Sequence, residues 1–304
     1  MINYLILLIG FIILIKGADV FVESSSNIAK KFKIPPIIIG LTIVAMGTSA
    51  PELSVSLTSS LAEMNDLSVA NVVGSNIFNV LCILGVSSLV NKLKISNMKD
   101  ILLLLGSSLL LLLTTFDGAL GFIDGLLLLS VFAIYIGNMI VKSIKNKTEV
   151  EDIKEEKSLF KTIILGVIGL VSIIWGGNLV VNSASAIATM LGMSENLIGL
   201  TIVALGTSLP EFITSVLATR KGELDIAIGN VVGSNVFNIL LVLGVASTIN
   251  PIAVSILSLI DIIVMVLTVV LVLGATYKKK IINKGLGFSM ILIYIIYIIY
   301  TIIR

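Results

Sequence analysis

The chain is built from long apolar runs separated by short polar clusters, and most runs approach the ~20 residues a helix needs to cross a bilayer. Hydropathy and helix breakers predict ten helices, over about 2–27, 36–61, 67–90, 100–115, 119–142, 161–189, 196–219, 225–247, 257–276 and 285–303. The longest polar interruption, "KSIKNKTEVEDIKEEKSLFK" from Lys142 to Lys161, mixes charges of both signs and reads as a solvated linker between five helices and five.

The two sets of five repeat at an offset of 159 residues. "IGLTIVAMGTSAPE" (39–52) and "IGLTIVALGTSLPE" (198–211) agree at 12 of 14 positions, and "LSVANVVGSNIFNVL" (67–81) and "IAIGNVVGSNVFNIL" (226–240) at 9 of 15. At the same offset "KGADVFVE" (16–23) falls on "WGGNLVVN" (175–182). Three segments follow: a first half over 1–141, a linker over 142–161 expected in the cytoplasm, and a second half over 162–304. An odd number of spans per repeat forces the copies into opposite orientations. Charge tests this independently, because short cytoplasmic loops collect Lys and Arg. With the N-terminus outside, 18 of the 20 basic residues fall on inside loops, leaving Lys16 and Arg304. The expected architecture is therefore an all-α polytopic membrane protein with ten transmembrane helices in two inverted five-helix repeats. Its expected location is the plasma membrane, with both termini extracellular. Inverted repeats typify secondary transporters with a midplane site.

Composition narrows the classes. Hydrophobic residues make up 57% and charged residues 12%, about half the charge of a typical soluble domain. A net charge of +2 suggests no nucleic-acid partner, and a chain with no histidine and a single cysteine, Cys82, has no imidazole relay, cysteine cluster or internal disulfide. The N-terminal "MINYLILLIGFIILIKGAD" lacks a basic leader and a cleavage motif, so it reads as a retained first helix.

The repeated stretches place unusual chemistry at membrane depth. Glu52 and Glu211 lie mid-span at equivalent positions, where a carboxylate costs ~2.5–3.5 kcal/mol to insert. They read as an ion site, against the alternative of protonated acids hydrogen-bonding a neighbouring helix. Pro51 and Pro210 remove an N–H and crowd the carbonyls of Gly47 and Gly206. Carbonyls over Ala45–Thr48 and Ala204–Thr207 are therefore expected to lose helical partners, which lipid tolerates only around a cavity or inside protein. The alternative is a proline kink with hydroxyl back-bonding. Asn71, Ser75 and Asn79, like Asn230, Ser234 and Asn238, recur at four-residue spacing and share a helix face; Asn76 and Asn235 lie beside them. These stripes read as neutral oxygen ligands or as interhelical packing, with Gly74 and Gly233 permitting close approach. An all-oxygen set suits hard cations such as Na⁺ and Ca²⁺. Elsewhere, Asp100 and Asp261 are expected at the interface near helix starts. Asp19 and Glu23, which face Asn178 and Asn182 in the repeat, are expected to pair with Lys16 or face the inner interface. Trp175 reads as packing or an anchor, and Cys82 as a small core residue.

Paired "GTSxPE" and "GSNxFN" blocks in a 5+5 chain resemble the alpha repeats of the cation/calcium antiporter superfamily, in particular its short prokaryotic sodium/calcium exchanger branch. The resemblance covers nearly the whole chain. It implies Na⁺-driven Ca²⁺ antiport by alternating access, the first and sixth helices sliding across the core. The usual three Na⁺ per Ca²⁺ would carry net charge and sense voltage at ~2.3 kcal/mol per elementary charge per 100 mV. By motif position, Glu52 and Glu211 resemble the central carboxylates that bind Ca²⁺ or Na⁺, and Thr48 and Thr207 resemble backbone-carbonyl ligands of that ion. Ala45, Ser49 and Ser234 look like one flanking Na⁺ site, and Ala204, Ser208 and Ser75 like the other. Asn79 and Asn238 resemble the central polar pair. Some members carry aspartate at the second position and the potassium-dependent ones need it, so Asn238 implies potassium independence. The resemblance implies no enzymatic activity and no cofactor. Its partners are Na⁺, Ca²⁺ and the lipid bilayer, and the chain is expected to work as a monomer. A proton-coupled calcium antiporter is the nearest alternative; a passive channel and a membrane scaffold fit less well.

Overall fold

The computed structural model describes residues 2–61, 65–145, 158–192 and 204–304. Twelve helices occur among the described residues: α1 (Ile2–Lys31), α2 (Pro36–Thr48), α3 (Ala50–Leu61), α4 (residues 65–90), α5 (Met98–Thr114), α6 (Phe122–Lys145), α7 (Leu159–Met190), α8 (Ala204–Thr207), α9 (Leu209–Arg220), α10 (Leu224–Ile249), α11 (Ile256–Thr276) and α12 (Lys284–Ile303). Four two-residue strands join them: β1 (Leu93–Lys94), β2 (Ala119–Leu120), β3 (Ile252–Ala253) and β4 (Ile281–Ile282). The all-α expectation did not include these strands.

Among the described residues seven helices are long and apolar enough to cross a membrane, and the bent pair α2–α3, taken as one span, makes an eighth. The remaining two expected spans are α5, whose 17 residues fall short of the ~20 of a straight crossing, and 196–219, whose residues 196–203 lie outside the described residues. So do residues 146–157 of the expected linker.

Local chemistry explains the breaks. α1 runs past its expected end to Lys31 and closes with Lys33 at φ +55, so that the Ile34 N–H reaches the Ala29 carbonyl at 2.8 Å; this is a left-handed helix cap, and Pro35 and Pro36 follow. Gly222 caps α9 in the same way at φ +81, with the Glu223 N–H on the Ala218 carbonyl at 2.9 Å. α2 and α3 meet at Ser49 with a bend of 47°, because Pro51 offers no N–H to the Gly47 carbonyl. Wide π-helical turns occupy Gly40–Val44, Asn79–Ile83 and Asn238–Val242.

The described residues form two apolar cores. The larger surrounds α4 and α10 with α5, α6, α11 and α12, through residues such as Ile77, Leu81, Leu104, Leu128, Val236, Leu240, Val269 and Met290. The smaller joins α1 and α7 to the rest through Leu14, Ala18, Phe21, Val44, Ile173 and Ile226. α1 and α7 lie against each other along glycines. A Cβ on Gly17 would sit 2.9 Å from the Gly169 carbonyl, and one on Gly176 3.0 Å from the Gly10 carbonyl. The pairing 17 with 169 and 10 with 176 shows that the two helices run antiparallel. Their outer faces expose Leu5, Leu8, Ile12, Ile164, Val171 and Trp175; Trp175 is on the surface, not in packing.

Loop contacts respect the sides assigned from lysine distribution. β1 pairs with β4, and Ser96 donates to Asp225, joining loops assigned to the inside. β2 pairs with β3, and Arg304 binds Asp261 bidentately, joining segments assigned to the outside. Asp261 and Asp100 are near helix starts as expected, but both are buried. Asp19 and Glu23 do not pair with Lys16 among the described contacts. Lys221 takes both, at 2.8 and 4.0 Å, because the α9–α10 turn lies against the inner half of α1; Lys30 and Ser26 likewise hold Glu223 at 3.8 and 2.5 Å.

Candidate cation site

At the bend between α2 and α3, and again between α8 and α9, the motif residues meet across the molecule. Glu52 and Glu211 are fully buried. Each sits in the first turn of its helix just after the break, where unpaired backbone N–H groups favour negative charge. Each carboxylate is held by a serine from the opposite bend. Ser49 Oγ donates to Glu211 Oε1 at 2.8 Å and Ser208 Oγ to Glu52 Oε1 at 3.1 Å. The serines of the long helices add longer contacts, Ser75 to Glu52 at 3.4 Å and Ser234 to Glu211 at 3.5 Å.

Asparagines lock the bends. Asn71 Nδ2 donates to the Glu52 carbonyl at 3.4 Å and to Ser56 at 3.3 Å; Asn230 Nδ2 donates to the Glu211 carbonyl at 3.3 Å and to Ser215 at 2.9 Å. Their Oδ1 atoms accept across the molecule, Asn230 from Thr48 at 3.0 Å and Asn71 from Thr207 at 3.3 Å. Every one of these bonds thus has a counterpart 159 residues away.

The twelve expected site residues can now be located. Eight of them fall into two hydrogen-bonded groups: Thr207, Ser208, Glu52 and Ser75 around Asn71 form one, and Thr48, Ser49, Glu211 and Ser234 around Asn230 form the other. Ala45 lies in the second through its carbonyl, which Ser234 Oγ approaches at 3.5 Å. One expectation needs correcting: the Ala45 carbonyl keeps its helical donor, the Ser49 N–H at 3.0 Å, because the break falls later, between Thr48 and Ala50. Ala204 opens α8. Asn79 and Asn238 each begin a π-helical turn, one turn beyond Ser75 and Ser234. Gly233 realises the expected close approach, since a Cβ there would lie 2.6 Å from the Leu41 carbonyl; Gly74 makes no such contact among the described residues.

Sequence reasoning missed Ser56 and Ser215, which serve as second acceptors for Asn71 and Asn230. Their signal was available: both are serines at the 159-residue offset. It also set Asn76 and Asn235 aside from the ligands, although they join the two long helices directly.

Among the described residues eight buried side-chain oxygens have no hydrogen-bond partner; four are hydroxyls, on Ser68, Ser87, Ser185 and Thr214, and the four carboxylate or amide oxygens are Glu52 Oε2, Glu211 Oε2, Asn79 Oδ1 and Asn238 Oδ1. Leaving such groups unpaired costs about 1–3 kcal/mol each, more when charged. The last four all belong to motif residues, and carboxylate and amide oxygens are the ligands a hard cation takes.

A cavity of about 320 Å³ reaches this region between α3, α7 and α9, lined in part by Pro51, Ser54, Gly177, Asn178, Thr207 and Pro210. The α1–α7 pair abuts both bends: a Cβ on Gly47 would meet Leu170 at 2.8 Å and one on Gly206 would meet Val181 at 2.2 Å.

A family model described as "Sodium/calcium exchanger protein" matches residues 2–141 and 161–303. The sodium/calcium exchanger MaX1 of Methanosarcina acetivorans is 34% identical over 302 residues, covering 85% of this chain and 86% of that protein. Sodium/potassium/calcium exchanger 1 of Mus musculus is 34% identical over 161 residues, 49% of this chain and 14% of its own length. Among solved structures, the sodium-calcium exchanger NCX_Mj, soaked with Na⁺ and Ca²⁺, superposes with a TM-score of 0.88 at 32% identity, covering 98% of both chains.

Proposed function

This chain belongs to the sodium/calcium exchanger family, and from that membership we propose that it is an antiporter exchanging Na⁺ for Ca²⁺ across a membrane. The observation that carries this reading is the set of four unpartnered acceptor oxygens on Glu52, Glu211, Asn79 and Asn238. Two carboxylates supply a formal charge of −2, which one Ca²⁺ balances and three Na⁺ exceed, so exchange at that ratio moves net charge. Thr48 and Thr207 supply carbonyl ligands to the central ion, while Ala45, Ser49 and Ser234 on one side, and Ala204, Ser208 and Ser75 on the other, supply the flanking Na⁺ ligands.

In this reading the chain has two inverted five-helix halves, 1–141 and 162–304, around the linker, with both termini outside the plasma membrane. The antiparallel α1–α7 contact, the hydrogen bonds repeated at the 159-residue offset and the strand pairs within each side support it. Alternating access is the α1–α7 pair sliding over the two bends; its smaller core and its glycine contacts with the bends support this. The neutral amide of Asn238 supports potassium independence.

Uptake of radioactive Ca²⁺ into proteoliposomes loaded with Na⁺, with K⁺, or with only a pH gradient tests the reading. Uptake that needs internal Na⁺ and ignores the pH gradient is the expected result. Uptake driven by the pH gradient alone would replace it with proton coupling.

A further inference from the structure

α4 and α10 cross at a ring of four amides. Asn76 Nδ2 donates to the Asn235 carbonyl at 3.3 Å, and Asn235 Nδ2 donates to the Asn76 carbonyl at 3.2 Å. Asn79 Nδ2 then donates to Asn235 Oδ1 at 2.8 Å, and Asn238 Nδ2 to Asn76 Oδ1 at 3.2 Å. All four side chains are fully buried.

The orientation of every amide in this ring is dictated by donor–acceptor logic. A backbone carbonyl only accepts. The Asn76 and Asn235 amides must therefore point their NH₂ groups at the opposite backbone, which turns their oxygens toward Asn238 and Asn79. Those two must answer with NH₂. Their own oxygens are left facing away from the ring, and these are the two amide oxygens without a partner.

We propose that Asn76 and Asn235 are positioning residues that force the amide oxygens, and not the amide N–H groups, of Asn79 and Asn238 into the cation site. The inference rests on the site reading above and deepens it. Asn79 follows Ser75 by one turn, and Ser75 already touches the Glu52 carboxylate. An Asn79 amide turned the other way would bring N–H donors toward the unpartnered carboxylate oxygens. The site would then satisfy itself internally and present positive dipole ends to an arriving cation. Tying up the N–H groups in the ring keeps the carboxylates for the ion.

The test exploits a difference between asparagine and aspartate: a carboxylate offers oxygen in either orientation and needs no positioning. Asn235→Ala is made in the wild-type chain and in an Asn79→Asp chain. Half-saturating Ca²⁺ is read from Ca²⁺-dependent thermal stabilisation of purified full-length protein, and maximal transport rate from Na⁺-loaded vesicles. Asn235→Ala is expected to raise half-saturating Ca²⁺ about tenfold in the wild-type background, the order expected when a buried N–H finds a charged acceptor instead. In the Asn79→Asp background it is expected to raise it less than twofold. Equal factors in both backgrounds would overturn the proposal, since a packing role is indifferent to residue 79. The symmetric set, Asn76→Ala with and without Asn238→Asp, gives the same reading if the first set does not fold. Absence of Ca²⁺ stabilisation in the wild type would instead refute the site reading itself.

Discussion

The Glu211→Gln substitution gives the sharpest prediction, because its effects on activity and on stability have opposite signs. Glu211 Oε1 accepts from Ser49 and Ser234, while Oε2 has no partner. Glutamine has the same shape and its carbonyl oxygen can keep both serine contacts. The unpartnered oxygen then becomes NH₂, so one negative charge is lost and a donor faces the cation. Removing one member of a buried charge pair costs about 3–5 kcal/mol. At 1.4 kcal/mol per factor of ten, half-saturating Ca²⁺ rises by roughly two to three orders of magnitude. The cation is divalent, which makes the lower figure a floor. In buffer free of both Ca²⁺ and Na⁺ the effect reverses: the wild type holds two buried carboxylates without a counter-ion, and the variant holds one. Its melting temperature without ions is expected to equal or exceed that of the wild type. The assay is Ca²⁺ uptake into Na⁺-loaded proteoliposomes over a Ca²⁺ series, with melting curves in Na⁺-free chelator. Half-saturation within threefold of wild type would refute the assignment of Glu211 to the site. A melting temperature well below wild type in chelator would refute the argument about uncompensated charge.

Two further substitutions test the scaffold. Gly176→Val would push side-chain atoms into the α1 backbone, where even a Cβ lies 2.6 Å from the Leu14 nitrogen. Overpacking of this kind costs about 1–3 kcal/mol, so a lower melting temperature in detergent is expected, and an unchanged one would show that α1 and α7 do not pack as described. Arg304→Gln would leave Asp261, whose side chain is only 11% exposed, without its bidentate partner; a loss of about 2 kcal/mol, less than the fully buried limit, should appear as a lower melting temperature that Asp261→Asn in the same chain restores.

The apolar helices, the bend at Ser49 and the buried acids of the candidate site were legible because each rests on local signals. Apolar run length marks the helices, proline marks the break at Ser49, and a carboxylate in a greasy run marks Glu52 and Glu211, the acids of the candidate site. What escaped depends on chain segments distant in sequence. Lys221 is 202 residues from Asp19, and a lysine in one loop carries no mark of the helix it will meet. Asn76 lies off the face defined by Asn71, Ser75 and Asn79, so a reading of one helix discounts it; its role exists only where two long helices cross. The strands are two residues long, too short for alternation to register. The π-helical turns at Asn79 and Asn238 leave no composition signature, although they shift every later side chain on α4 and α10.

The length of α1 and α7 has a consequence for the surroundings of the protein. With 30 and 32 residues, the pair extends about 45 and 48 Å at 1.5 Å per residue, whereas the hydrocarbon core is about 30 Å thick. Helices of that length fit by leaning over or by carrying polar ends, such as residues 19–31 of α1, beyond the hydrocarbon, and any lean bears on the lipid through their exposed aliphatic faces. If the lean changes as the pair slides, acyl-chain length becomes an allosteric input: thicker bilayers favour whichever end state stands more upright, and thinner ones the more inclined.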